Sequence, residues 1–151
     1  MLINGIKIAM LSALPISELR GAIPIALTVY QMPIVPAYLL ALLGNIVPVV
    51  FLLLYLGPFS DYLRRWHLFD LFFSWLFKRT KRHEERYEKY GALFLLFFVA
   101  IPLPVTGAWT GCVAALIFGI RFKYAFLSIT GGIMIAGLIV SLTSLGIISI
   151  F

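Results

Sequence analysis

The chain has 151 residues, of which 62% are hydrophobic and 12% charged, and its mean hydropathy is +1.05. A water-soluble domain carries about 25% charged residues, so the composition excludes an ordinary globular fold and points to the bilayer. The formal charge of +6 does not indicate nucleic acid, because thirteen of the eighteen charged residues crowd between Asp61 and Lys89, beside apolar stretches of membrane length.

Three stretches, 21–60, 90–120 and 124–151, carry no charged side chain. Each exceeds the ~20 residues that cross a hydrocarbon core. The expected fold class is an all-α integral membrane protein forming a single membrane domain. Cys112 is the one cysteine. It excludes an internal disulfide, offers no metal cluster, and is expected to be a small packing residue.

The first segment breaks in its middle. Residues 4–13 suit a helix, the run 14–21 (LPISELRG) interrupts it, and 21–30 can be helical again. No A-x-A site follows the opening apolar run, so residues 1–30 are read as mature structure rather than a signal peptide. Ten helical residues rise only ~15 Å, half the hydrocarbon thickness. Two such halves can dip to the midplane and return, a re-entrant hairpin over 4–30, or form one broken span. Residues 33–57 are long enough to cross outright, with Gly44 and Pro48 inside, which membrane helices tolerate.

A connector follows over 58–90. In 58–77 Tyr62, Trp66, Phe69, Phe73 and Leu76 share one helical face, and Arg64, His67, Asp70, Ser74 and Lys78 fall largely on the other. That pattern predicts an amphipathic helix in the headgroup region. Residues 78–89 are a charged helix or loop in water, with Glu85 and Lys89 at a favourable spacing.

The opening scheme then returns. A short apolar half (91–100) meets the breaker 101–107 (IPLPVTG), a second half runs to 120, and a full span covers 124–149. Pro15 matches Pro102, Gly21 matches Gly107, Ala22 matches Ala108 and Tyr38 matches Tyr124; Gly44 matches Gly131 with one gap. The shared order of half-helix, breaker, half-helix and span predicts an internal repeat. Paired interrupted segments of this kind mark a transporter's binding site. If both broken segments are re-entrant, the halves are inverted, and ten of the twelve basic residues share the connector's side. The positive-inside rule makes that side cytoplasmic, in a multi-pass plasma-membrane protein.

Re-entrant turns expose backbone groups at membrane depth, so the two turns should face each other or a shared wet cavity. Second half-helices beginning near Gly21 and Gly107 would aim their positive ends there, beside Arg20 and the hydroxyls of Thr106 and Thr110. Such a site suits an anionic group. Glu18 keeps three readings: a partner locking Arg20, a carrier of a coupling proton, or a ligand for a cationic substrate. Intramembrane ionisable residues favour the functional ones. Trp109 is a candidate cavity wall or packing residue, and the small residues of 106–111 allow close helix approach. Asn45 could bond across helices or face a substrate path.

The segments 15–24 (PISELRGAIP) and 101–111 (IPLPVTGAWTG) resemble the two signature segments of the small multi-drug export family, and the similarity covers nearly the whole chain. That family is similar to the DedA/VTT superfamily, whose members have paired re-entrant hairpins and handle lipids: some transport undecaprenyl phosphate, and eukaryotic ones scramble phospholipids. The resemblance points to Glu18, Arg20, Gly21, Pro24, Pro102, Pro104, Thr106, Gly107, Trp109 and Gly111. The chain departs from the DedA pattern in its second breaker, which carries Thr106 where an arginine is sought.

The leading expectation is a transporter moving a small amphipathic or anionic-headgroup substrate between the two hairpins, with proton coupling through Glu18. The alternatives are a lipid or polyprenyl-phosphate flippase or scramblase, and a non-transporting membrane scaffold. No nucleophile–base pattern predicts an enzyme, and no cofactor is expected. The expected partners are membrane lipids, the substrate, and further copies of the chain in a homodimer or larger homo-oligomer; nucleic acid is not among them.

Overall fold

A computed structural model describes residues 2–63, 84–102 and 106–150. Most of the expected amphipathic helix (from 64 onward), the basic run up to 83, and Pro104 lie outside the described residues. The described residues are helical, with short connections: α1 (Leu2–Ala13), α2 (Glu18–Thr28), α3 (Ile34–Leu63), α4 (Glu84–Ala100), α5 (Ala108–Ile117) and α6 (Phe122–Ile150).

Helix boundaries follow local chemistry. Pro15 disfavours a helical conformation at Leu14, and α1 stops at Ala13. The expected start of the next half near Gly21 is corrected: α2 opens at Glu18, and Gly21 is its fourth residue, donating its amide to Ser17 O at 2.8 Å. Ser17 bridges the turn by donating its hydroxyl to Leu11 O. The turn thus needs only Leu14–Ser17. α5 closes differently. Gly119 takes φ 65, Ile120 donates to Ala115 O at 2.9 Å and Gly119 to Leu116 O at 3.1 Å, the paired bonds of a left-handed helix cap.

Among the described residues, two helices contain stretches long and apolar enough to cross a membrane, Ile34–Tyr55 and Phe122–Ile147. α3 runs past its expected end at residue 57, through the Gly57–Pro58 step, to Leu63. α4 begins seven residues before the expected 91, since Glu84–Lys89 are good helix formers that extend the apolar half.

Packing repeats from half to half. α1 and α2 lie on one another and on α3; α4 and α5 lie on one another and on α6. In each half a glycine of the long helix lets the first short helix approach backbone to backbone. A Cβ on Gly44 would stand 2.2 Å from Ala9 O, and one on Gly132 would stand 2.7 Å from Leu96 O. Gly131, the expected match of Gly44, stands against the Leu96 side chain. Gly137 instead makes room for side chains between halves, those of Leu19 of α2 and Tyr38 of α3.

Leu19, Ile23, Leu95, Val99, Ile129 and Ile133 fill the interior, while Leu39, Leu43, Phe51, Phe97, Leu138 and Leu142 are exposed. An apolar perimeter around an apolar core is what lipid requires and water penalises.

Candidate functional site

The chemistry of the molecule concentrates where the α1–α2 turn meets the α4–α5 turn. Every helix end there leaves orphan backbone groups: carbonyls at the ends of α1 and α4, amides at the start of α5. In a bilayer these need partners within the protein. Each turn supplies them to the other.

Glu18 comes first. Its side chain is 6% exposed, and its carboxylate accepts the Trp109 amide of α5 at 3.4 Å. The carboxylate lies directly over Gly107, so that a Cβ there would stand 2.3 and 2.4 Å from its two oxygens. Gly107 has an extended backbone (φ −169) open to any residue, so glycine is required for room rather than for conformation. Glu18 itself takes φ 45, a left-handed conformation uncommon outside glycine and typical of functional or constrained positions. A negative charge on the N-terminal amides of α5 is stabilised both by hydrogen bonding and by the helix dipole.

Trp109 returns the contact. Its indole Nε1 donates to Ala13 O, the last carbonyl of α1, at 3.2 Å. Arg20 reaches across too, with Nη2 donating to Ile101 O at 3.4 Å and to Thr106 Oγ1 at 3.5 Å. Thr106 also donates to Ile101 O, at 2.6 Å. The end of α4 is thus capped partly from its own turn and partly from α2. Thr110 turns inward to its own helix, where Oγ1 accepts the Gly107 amide at 2.8 Å.

The structure therefore brings Glu18, Arg20, Thr106, Gly107 and Trp109 together. Thr110 adjoins them through the Gly107 amide, and the remaining described residues of the expected set make their contacts elsewhere. Gly21 packs on Ser17, Gly111 gives room to Val99 of α4, and Pro102 is exposed beside Ile101. Pro24 lies inside α2, its carbonyl accepting the Thr28 hydroxyl at 2.8 Å. Asn45 is buried in α3. Pro104 lies outside the described residues.

One expectation changes in kind. The positive end of α5 is aimed at the junction as the sequence suggests, but the anion it faces is the chain's own Glu18. Sequence reasoning also missed the carbonyls of Ala13 and Ile101, although their position just before a proline-containing breaker marks them as orphan acceptors. Cys112 is buried, with its thiol 4.0 Å from Val49 O, a packing position. Among the described residues no group of three or more His, Cys, Asp and Glu is placed to hold a metal ion.

Comparison with known proteins gives one match. The family described as "putative small multi-drug export protein" matches residues 18–139, a range that begins at Glu18, just past the α1–α2 turn, and includes the α4–α5 turn. No match was found among curated proteins or among solved structures.

Proposed function

The chain belongs to the small multi-drug export protein family, and from that premise we propose that it is a membrane transporter, not an enzyme, whose moving part is the junction of the two helix turns. In this reading α1–α2 and α4–α5 are re-entrant pairs entering from opposite faces, the halves are an inverted repeat, and the junction lies near mid-membrane. The glycine contacts that recur in both halves, Gly44 on Ala9 and Gly132 on Leu96, support that symmetry. The substrate is a small amphipathic molecule passing between the pairs.

The observation that carries the reading is the Glu18 carboxylate of one half held on the α5 amides of the other. Protonating Glu18 removes the charge that the helix end attracts. The junction then loosens, and the pairs can rock against each other, which couples proton entry to opening. The plasma membrane, the cytoplasmic connector and a homodimer that completes the pathway belong to the same proposal.

Arg20 favours a second reading. Half-buried at the junction and beside Thr106, it suits the headgroup of an anionic lipid, as in the flippases and scramblases of the DedA/VTT superfamily. Against it, the α5 N-terminus already holds a carboxylate.

Proteoliposomes separate the two. A pH gradient should drive flux of a fluorescent amphiphilic cation through the wild-type protein, and Glu18→Gln should abolish that flux while the protein remains folded. Undiminished flux in Glu18→Gln refutes the coupling role. Redistribution of a fluorescent anionic phospholipid without a gradient, lost in Arg20→Gln, supports the second reading instead.

A further inference from the structure

Away from the junction, one pair of buried groups has no role in the account above. Asn45 is the twelfth residue of the apolar stretch Ile34–Tyr55 in α3. It is 0% exposed, and among the described residues neither its amide oxygen nor its amide nitrogen has a hydrogen-bond partner. Thr130 Oγ1 of α6 is likewise buried and unmatched. Helical threonines commonly turn the hydroxyl back onto their own backbone, as Thr143 does to Ile139 O at 3.0 Å and Thr28 to Pro24 O at 2.8 Å. Thr130 does not.

Register places these two groups opposite each other. Tyr38 of α3 donates its hydroxyl to Met134 O of α6 at 3.1 Å, and its ring crowds Gly137. Farther along α3, Val49 O meets the Cys112 thiol of α5, and the adjoining Gly111 stands against Ile129 of α6. Rising numbers on α3 therefore meet falling numbers on α6, and the helices run antiparallel. Seven residues make close to two turns. Asn45 lies two turns from Tyr38 on the same face of α3, and Thr130 lies two turns from Gly137 on the same face of α6. Both steps lead to one level between the long helices. Ser141, another unmatched hydroxyl of α6, lies ~16 Å along the axis from Thr130 and belongs to a different layer.

We infer that Asn45 and Thr130 form a buried polar site between α3 and α6 that holds water inside the membrane-embedded part of the chain. The amide offers two donors and an acceptor, and the hydroxyl offers a donor and acceptors. A sodium ion would satisfy the oxygens but oppose the amide nitrogen. Water satisfies both kinds of group, and a buried water requires two to four such partners. Pro48 adds to the site's polarity: without an amide hydrogen it cannot pair with the Gly44 carbonyl, next in the chain to Asn45. The site lies one turn of α3 from Val49, and hence close to α5, the helix whose first turn holds Glu18. The inference goes beyond the transport reading and stands without it.

The test uses the full chain in detergent and in proteoliposomes. In a Cys112→Ala background, single cysteines replace Asn45, the partly buried Thr130, and, as controls, Val49 and Ile133, which are as buried as Asn45. Thiols react as thiolates, which form where water reaches them, so a small water-soluble methanethiosulfonate should label positions 45 and 130 about 10-fold faster than 49 and 133. Equal rates at all four positions overturn the inference. Melting temperature gives an independent reading. Asn45→Leu and Thr130→Val should each lower it, and the double variant should melt no lower than the weaker single, because both singles lose the same water. A rise in either single variant, the response of a dry unmatched group to apolar replacement, overturns the inference. So does a stabilisation specific to sodium over choline that Asn45→Leu abolishes, which would make the ligand an ion.

Discussion

Replacing Gly107 by alanine tests the junction at its narrowest point. The backbone there is extended, φ −169 and ψ −172, so alanine brings no conformational penalty. Its Cβ would nevertheless stand 2.3 and 2.4 Å from the Glu18 oxygens, well inside contact distance. Either the carboxylate leaves the α5 amides or the turns separate. Losing hydrogen bonds to a charged group costs about 1.5–3 kcal/mol, and losing the charge–dipole attraction costs up to ~1 kcal/mol more. Relief of the left-handed Glu18 conformation returns about 1 kcal/mol. The net is about 1–3 kcal/mol, or roughly 2–12 °C in melting temperature for a chain of this size. Thermal unfolding in detergent measures it, and a double-mutant cycle isolates the cause. In a Glu18→Ala background no carboxylate remains to collide with, so Gly107→Ala should cost almost nothing there. An equal cost in both backgrounds would show that the glycine serves something other than the carboxylate.

Trp109→Phe keeps a ring but loses the bond to Ala13 O, and should lower stability by about 0.5–1.5 kcal/mol in the same assay. Gly44→Ala drives a Cβ into Ala9 O at 2.2 Å, an overpacking that costs about 1–3 kcal/mol; Gly146→Ala, whose Cβ would meet no described residue within 4 Å, should not lower the melting temperature. Gly119→Ala forces a left-handed φ of 65 on a residue with a Cβ and should cost about 1 kcal/mol, read as earlier unfolding. Cysteines introduced at 31–33 and at 119–122 should label from opposite faces of the membrane. Labelling from one face would exclude the re-entrant topology.

The membrane class, the two long helices and the two interruptions were legible in the sequence because each rests on local properties. Three uncharged stretches exceed membrane length, and Pro15 and Pro102 stand where α1 and α4 have just ended. Boundaries were less legible, because a breaker states where one helix stops and not where the next begins. Gly21 looked like a helix start and lies inside one, while Glu18 looked like turn and opens α2. The extension of α4 back to Glu84 was also hidden, since charged residues read as solvent-exposed whether or not they are helical.

The fate of the one acidic group in the apolar first half was decided by tertiary structure alone. Arg20, two residues away, was the obvious partner for Glu18. Folding leaves the two charges acting on each other and adds what the sequence does not show: the carboxylate rests on Gly107 and Trp109, the latter 91 positions along the chain, and Arg20 also reaches across to Ile101 and Thr106. Hydropathy and periodicity describe what each segment does with lipid. They carry no record of which orphan amide or carbonyl in the other half will be within reach. The demand that both turns be satisfied without water could be read from the sequence, but the pairing that meets it depends on how two remote segments pack.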